Sequence, residues 1–238
     1  MSDVRTAVRA LAPALALAAV LACGASAHAA SLSEGFESVL PAGWTAVNNS
    51  APIGATSWFQ GDDVLRFAAQ AGTAASYAAA DYHNGVGHAD LSTWLITPTL
   101  SFNNGDVLSF FTRTVVTPPF PDRLEVRFSS VGGTDVGSTA TSVGTFTTLL
   151  LTVNPGLTTA YPLDWTSYNA TISGLGGPTS GAIAFRYFVS DGGPDGANSE
   201  YIGIDTVTIT AVPEPASGLM LALGLGVLGV ARGRAARV

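Results

Sequence analysis

Lysine is absent from this 238-residue chain, so every basic side chain outside histidine is an arginine. We attach no function to that bias. Cysteine occurs once, at Cys23, inside a leader-like segment, so the body of the chain has neither a disulfide nor a cysteine nucleophile. Charge is scarce, at 11% of residues, and its balance is one-sided. Between residues 30 and 211 five arginines (Arg66, Arg113, Arg123, Arg127, Arg186) face fifteen carboxylates, a net charge near -10. Such a surface repels phosphate backbones and excludes nucleic acid as a partner. No Gly-x-Ser-x-Gly elbow, metalloprotease helix motif or EF-hand spacing occurs. There is no internal repeat.

Hydrophobic residues make up 47% of the chain, and their excess sits largely at the two ends. Arg5 and Arg9 begin a basic stretch, Ala10 to Ala22 is a short apolar run, and Ala27-His28-Ala29 offers small residues at signal-peptidase spacing. Residues 1–29 therefore read as a cleaved secretory signal. A rival reading takes Val20-Leu21-Ala22-Cys23 as a loose lipobox, but Leu21 is unusual there and the Ala-x-Ala site fits better. At the other end Val212-Pro213-Glu214-Pro215 precedes an apolar stretch, Ala216 to Ala231, followed by Arg232, Arg234 and Arg237. About 16 apolar residues just cross a bilayer if the arginines snorkel. The basic end should stay cytoplasmic, leaving the body of the chain outside. The prolines disfavour helix before the span and keep an extended, accessible peptide.

Motif, span and basic end, in that order over 212–238, resemble the PEP-CTERM sorting signal of Gram-negative bacteria. The resemblance implies processing near Pro213, Glu214 and Pro215 by an exosortase, a membrane enzyme with a cysteine nucleophile.

The middle reads as strands. In Arg123 to Ser130, Leu124, Val126 and Phe128 alternate with charged residues, and Ile183, Phe185, Tyr187 and Val189 share one face of Ala182 to Ser190. Val107 to Val116 and Thr147 to Val153 are more continuously apolar, as inner strands are. Thr93 to Phe102, Trp165 to Ile172 and Tyr201 to Ala211 complete the set. Asn103 to Asp106, Pro118-Pro119, Gly132-Gly133, Gly174 to Pro178 and Gly192 to Pro194 supply turns. Ala68 to Ala80 is the one helical candidate, weakened by Gly72 and Thr73. The expectation is an all-β jelly-roll sandwich over residues 30–211 with elaborated loops in its first third.

Glu34-Gly35-Phe36-Glu37 with Leu40-Pro41-Ala42-Gly43-Trp44, then Ser92-Thr93-Trp94-Leu95-Ile96-Thr97-Pro98, then Tyr201-Ile202-Gly203-Ile204-Asp205, resemble the opening, middle and closing strands of cleaved-adhesin or "choice-of-anchor J" domains. The resemblance spans roughly residues 33–210. It implies a jelly roll related to MAM and carbohydrate-binding modules, and it identifies a fold better than a task.

Strict alternation puts Asp205 on one face with Val207 and Ile209, where a carboxylate needs a partner. Glu37 follows Phe36 in the first strand, which a jelly roll can set beside the last. With Asp90, these two could supply hard oxygen ligands for Ca²⁺, and related adhesin domains bind structural calcium. Pairing with an arginine or capping a turn explains them equally. Asp191, Asp195 and Glu200 lie in a Gly-rich loop and read chiefly as turn formers. His83 and His88, with Asp81 and Asp90, make a conceivable zinc or copper cluster, but the segment reads as exposed loop. Trp44, Trp58, Phe59 and Trp165 are either core or a sugar-stacking platform. The expected function is a non-catalytic exported surface or matrix protein. Its expected partners are the exosortase, the inner membrane and exopolysaccharide. A specific carbohydrate-binding module is the alternative, and a matrix-modifying hydrolase a third.

Overall fold

The computed structural model describes residues 31–116 and 120–212. The expected signal peptide, sorting motif and membrane span lie outside the described residues, as do the Pro118-Pro119 turn residues. The strands, in chain order, are β1 (Ser31–Glu34), β2 (Thr45–Asn48), β3 (Ala51–Ile53), β4 (Phe59–Gln60), β5 (Ala78–Asp81), β6 (Gly85–Ile96), β7 (Leu100–Phe102), β8 (Val107–Thr114), β9 (Leu124–Ser129), β10 (Thr148–Val153), β11 (Thr166–Thr171), β12 (Thr179–Gly192) and β13 (Tyr201–Thr210). A 3-10 turn, Tyr82–Asn84, joins β5 to β6. The described residues contain no α-helix.

All pairings are antiparallel and form two sheets. The front sheet runs β11-β8-β13-β5-β4, and the back sheet β10-β9-β12-β6-β2. β1 pairs with the second half of β13, Ser31 opposite Thr210, so first and last strands are neighbours as expected. β7 pairs with the start of β12 and β3 with the start of β6. The sandwich core lies between the sheets. Phe110 meets Phe185 edge-on at 5.0 Å, and Leu124, Val126 and Phe128 point inward as their alternation predicts.

The alanine-rich segment is not helical. Gly72 has φ +81°, and Ala78–Asp81 forms β5 against β13. Ala78 and Ala80 pack into the main core, whereas Ala79 faces an aromatic layer outside the front sheet. The small side chains suit this doubly covered strand, and tertiary packing overrides helix propensity.

Both outer sheet faces are covered. Residues 61–77 lie over the front sheet, where Phe67 stacks on Tyr77 at 5.0 Å and meets Tyr201 and Trp165 edge-on. Gly203 makes room for this layer, because a Cβ there would come within 2.9 Å of both Phe67 and Tyr77. Over the back sheet, Val136 and Phe146 pack on Trp94, Ile96, Ala182 and Ala184. Arg186 is buried beneath the same covering segment. It donates to Ser92 Oγ at 3.0 Å, to Glu125 Oε2 at 3.1 Å and to the carbonyl of Ala140. Burial pulls the Arg186 guanidinium down to about 10, against the opposing pull of Glu125.

Candidate functional site

Strand direction gives the sandwich two unlike poles. β13 starts at one, with Tyr201 opposite Asp81, and ends at the other, with Thr210 opposite Val107 and Ser31. The first pole gathers the connections 82–84, 154–165 and 193–200 and the described residues 115–116 and 120–123, and we call it the loop pole; His88 and Asp90 stand on the first half of β6 rather than on the exposed loop the sequence suggests. These connections are tied to one another. Tyr82 N donates to Glu200 O at 3.2 Å, Asp195 N to Gly87 O at 3.2 Å, and Ser199 N to Pro121 O at 2.8 Å.

Asp122 holds the loop pole together from inside. Its Oδ1 accepts from the Tyr187 hydroxyl at 2.5 Å and from Glu200 N at 2.8 Å. Its Oδ2 lies 2.8 Å from the Thr114 hydroxyl, which is also 2.8 Å from the Tyr201 carbonyl. Its carbonyl accepts from Asn154 Nδ2 at 2.7 Å. Burial raises the Asp122 carboxyl to about 6, against the pull of these donors. The network also explains the preference for a proton. Thr114 has one hydroxyl hydrogen for two acceptors, and a protonated Oδ2 donates to Thr114 Oγ1 while Thr114 donates to Tyr201. Nothing in the local sequence signals this role, because Asp122 lies between Pro121 and the strand that the sequence predicts from Arg123, with no motif around it.

The two histidines stand apart. His83 Nδ1 pairs with Asp81 at 3.0 Å, and His88 Nδ1 with Asp191 at 2.9 Å. The His88 hydrogen bond lowers the exposed Asp191 carboxyl. His88, Asp90 and Asp191 line an open depression of about 260 Å³ with Ala51 and Ala89. Among the described residues no serine or threonine hydroxyl is hydrogen-bonded to either ring.

The carboxylates expected to share calcium do not converge. Asp90 is on β6 of the back sheet, where its Oδ1 accepts from Asp191 N at 3.3 Å. Asp205 is buried on β13 of the front sheet. Glu37 lies beyond the end of β1, exposed, near the Gly72 turn. Asp205 does not share a face with Val207 and Ile209 as strict alternation predicts. A bulge between Asp205 and Thr208, with Thr206 at φ +50°, reverses the alternation. Ile202, Ile204, Val207 and Ile209 all enter the core, and Asp205 turns outward under the 61–77 cover. There its Oδ2 accepts from Gln70 N at 2.8 Å and Ala71 N at 3.1 Å, and its Oδ1 from Thr206 N at 2.6 Å. Burial raises this carboxyl, and the same N–H groups pull it back. Backbone donors thus satisfy Asp205 without an ion. No group of three or more His, Cys, Asp or Glu able to hold a metal is present among the described residues. The residues do not fit a calcium site built on all three carboxylates.

The tryptophans do not form a platform. Trp44 and Trp58 belong to the main core, and Trp94 is buried against Phe146. Trp165 is half-buried, clamped by edge-on contacts to Phe67 and Tyr77 and by a 2.9 Å hydrogen bond to the Ala68 carbonyl. Phe59 packs beside Tyr201 in the same layer.

The opposite pole is where the described chain ends. β13 finishes at Thr210, and Val212 N donates to Asp106 Oδ1 at 3.1 Å on the turn before β8. A family model matches from the very next residue after β13. This chain carries a PEP-CTERM protein-sorting motif, over residues 211–235. The sandwich itself is similar in fold to cleaved adhesin domains of Lys-gingipain from Porphyromonas gingivalis. The K1 domain is 23% identical with a TM-score of 0.54, covering 77% of this chain and 99% of that one. The K3 domain is 21% identical with a TM-score of 0.51, covering 76% and 100%. The K2 domain is 18% identical with a TM-score of 0.50, covering 76% and 99%. A search of curated proteins finds no match.

Proposed function

We propose that this is an exported, non-catalytic surface protein, retained at the inner membrane by its tail until an exosortase acts. Its adhesin-like sandwich then presents the loop pole to partners among extracellular polysaccharide. The observation that carries this reading is the sorting motif abutting β13, on a domain whose fold is that of cleaved adhesins. The loop pole lies at the far end of the sandwich from the tail, which leaves it open to partners. Two rival readings lose support. A glycan-specific module needs an open aromatic face, and here the tryptophans are committed to packing. A hydrolase with a histidine-activated hydroxyl finds no support, because no hydroxyl is bonded to the His88 and Asp191 pair among the described residues.

The test is deletion of residues 213–238. Wild-type protein should fractionate with membranes before processing, and the truncated protein should appear soluble outside the cytoplasm. Continued membrane retention after truncation would overturn the tail as anchor.

A further inference from the structure

The two poles differ in charge as well as in position. At the tail pole the turns 97–106 and 172–178 contain one ionisable group, Asp106, and it is fully buried; the β9–β10 connection, which leaves from the same pole, carries one exposed carboxylate, Asp135. The turns around the chain exit are otherwise Asn, Ser, Thr, Gly, Pro and apolar residues. At the loop pole Asp63, Asp90, Asp164, Asp191 and Asp195 are all exposed, and with Glu200 they outnumber the half-buried Arg66, Arg113 and Arg123 there.

The exit is also pinned. Val212 N is bonded to Asp106, whose Oδ2 in turn accepts from Asn103 N at 2.8 Å. Gly105 N donates to Ile172 O and Ile172 N to Asp106 O, both at 2.8 Å. Asn104 bonds Leu175 in both directions, at 2.8 and 2.9 Å. The last described residue is thus docked on a hydrogen-bonded platform. Only residues 213–215 separate it from the apolar stretch that starts at Ala216, and three residues reach at most about 10 Å.

We infer that the uncharged tail pole, built by the 103–106 and 172–178 turns, is the surface that rests against the phospholipid headgroups while the tail is in the membrane. This rests on the reading of the tail as a membrane anchor. The charge distribution gives the physical reason for the orientation. The ten residues of β13 set the poles about 30 Å apart, and screening in physiological salt acts over about 8 Å. Standing upright, the acidic loop pole lies several screening lengths from an anionic bilayer and is not repelled by it. Lying on its side or inverted, the domain would bring those carboxylates into the negative surface potential. The uncharged pole meets no such barrier.

The experiment uses the full chain with Cys23→Ala, reconstituted through its tail into vesicles of phosphatidylglycerol mixed with a neutral phospholipid. Single dyes are placed at Ser173→Cys or Ala197→Cys, and quenching by a headgroup-attached, short-range quencher is read. Both positions are exposed. The expected result is several-fold stronger quenching at 173 than at 197. A second variant adds charge to the tail pole with Gly176→Asp and Gly177→Asp, where a side chain meets nothing within 4 Å. It should weaken quenching at 173 in the anionic vesicles and leave it unchanged in wholly neutral ones. Adding carboxylates at the loop pole, with Thr159→Asp and Ala160→Asp, should change neither. Equal quenching at 173 and 197, or stronger quenching at 197, in protein that floats with the vesicles overturns the orientation alone. Failure of the full chain to float with vesicles overturns the anchoring reading, and the orientation with it.

Discussion

Replacing Asp122 with asparagine should remove a pH dependence from the stability of this protein. The carboxyl is buried at the loop pole and titrates at about 6 in the folded state. In the unfolded chain it should titrate near the ordinary aspartate value of about 4. Between those values the folded state binds more protons than the unfolded one, so stability falls as pH rises. The contribution is fully present below about pH 4 and is lost as pH passes through 6. A gap of about two pH units between the folded and unfolded values is worth about 3 kcal/mol. Asparagine mimics the protonated form. Its Oδ1 still accepts from Tyr187 and Glu200 N, and its Nδ2 donates to Thr114 Oγ1, freeing the Thr114 hydrogen for the Tyr201 carbonyl. The assay is urea unfolding of residues 30–212 from pH 4 to 8, wild type against Asp122→Asn. Other carboxylates contribute to both proteins, so the difference between the two isolates residue 122. We expect near-equal stability at pH 4 and an advantage to the variant of about 2–3 kcal/mol at pH 8. A difference that does not vary with pH, or an Asp122→Asn protein less stable throughout, would refute the protonated network.

Glu125→Gln should lower stability more than Arg186→Met, by about 3 kcal/mol or more against a smaller loss, in the same urea assay. The first change strands a buried guanidinium, whereas the second leaves Glu125 paired with Arg127 at 2.8 Å. Asp205→Ala should destabilise by about 2–4 kcal/mol through the backbone donors at 70, 71 and 206, equally with added calcium and with chelator. A calcium-dependent melting temperature in the wild type that vanishes in this variant would contradict the ion-free account. Trp165→Ala should loosen the 61–77 cover, seen as faster proteolytic cutting there, with little change in far-UV signal.

Much of the fold was legible in the sequence because strand periodicity is a local signal. Leu124, Val126 and Phe128 declare their face by alternation, and the Gly, Asn and Pro clusters mark where strands turn. The sorting motif was legible for the same reason, since its parts are contiguous. Where alternation is interrupted, the reading fails. The bulge at Thr206 exchanges the faces of β13, and no single strand reveals that its partner β8 lacks the extra residue. Ala78–Asp81 carries a helix former's composition, and only the two packed layers around it make it a strand.

What the sequence determined by itself was the all-β sandwich, the acidic body and the sorting tail. Tertiary structure decided what each polar or aromatic side chain does. Asp205 binds backbone N–H groups, the tryptophans are packed away, and Asp122 joins connections far apart in the chain. Those roles depend on contacts between residues tens of positions apart, such as Gln70 with Asp205 and Glu200 with Asp122. Composition and local spacing carry no record of which distant backbone donor will face a given carboxylate.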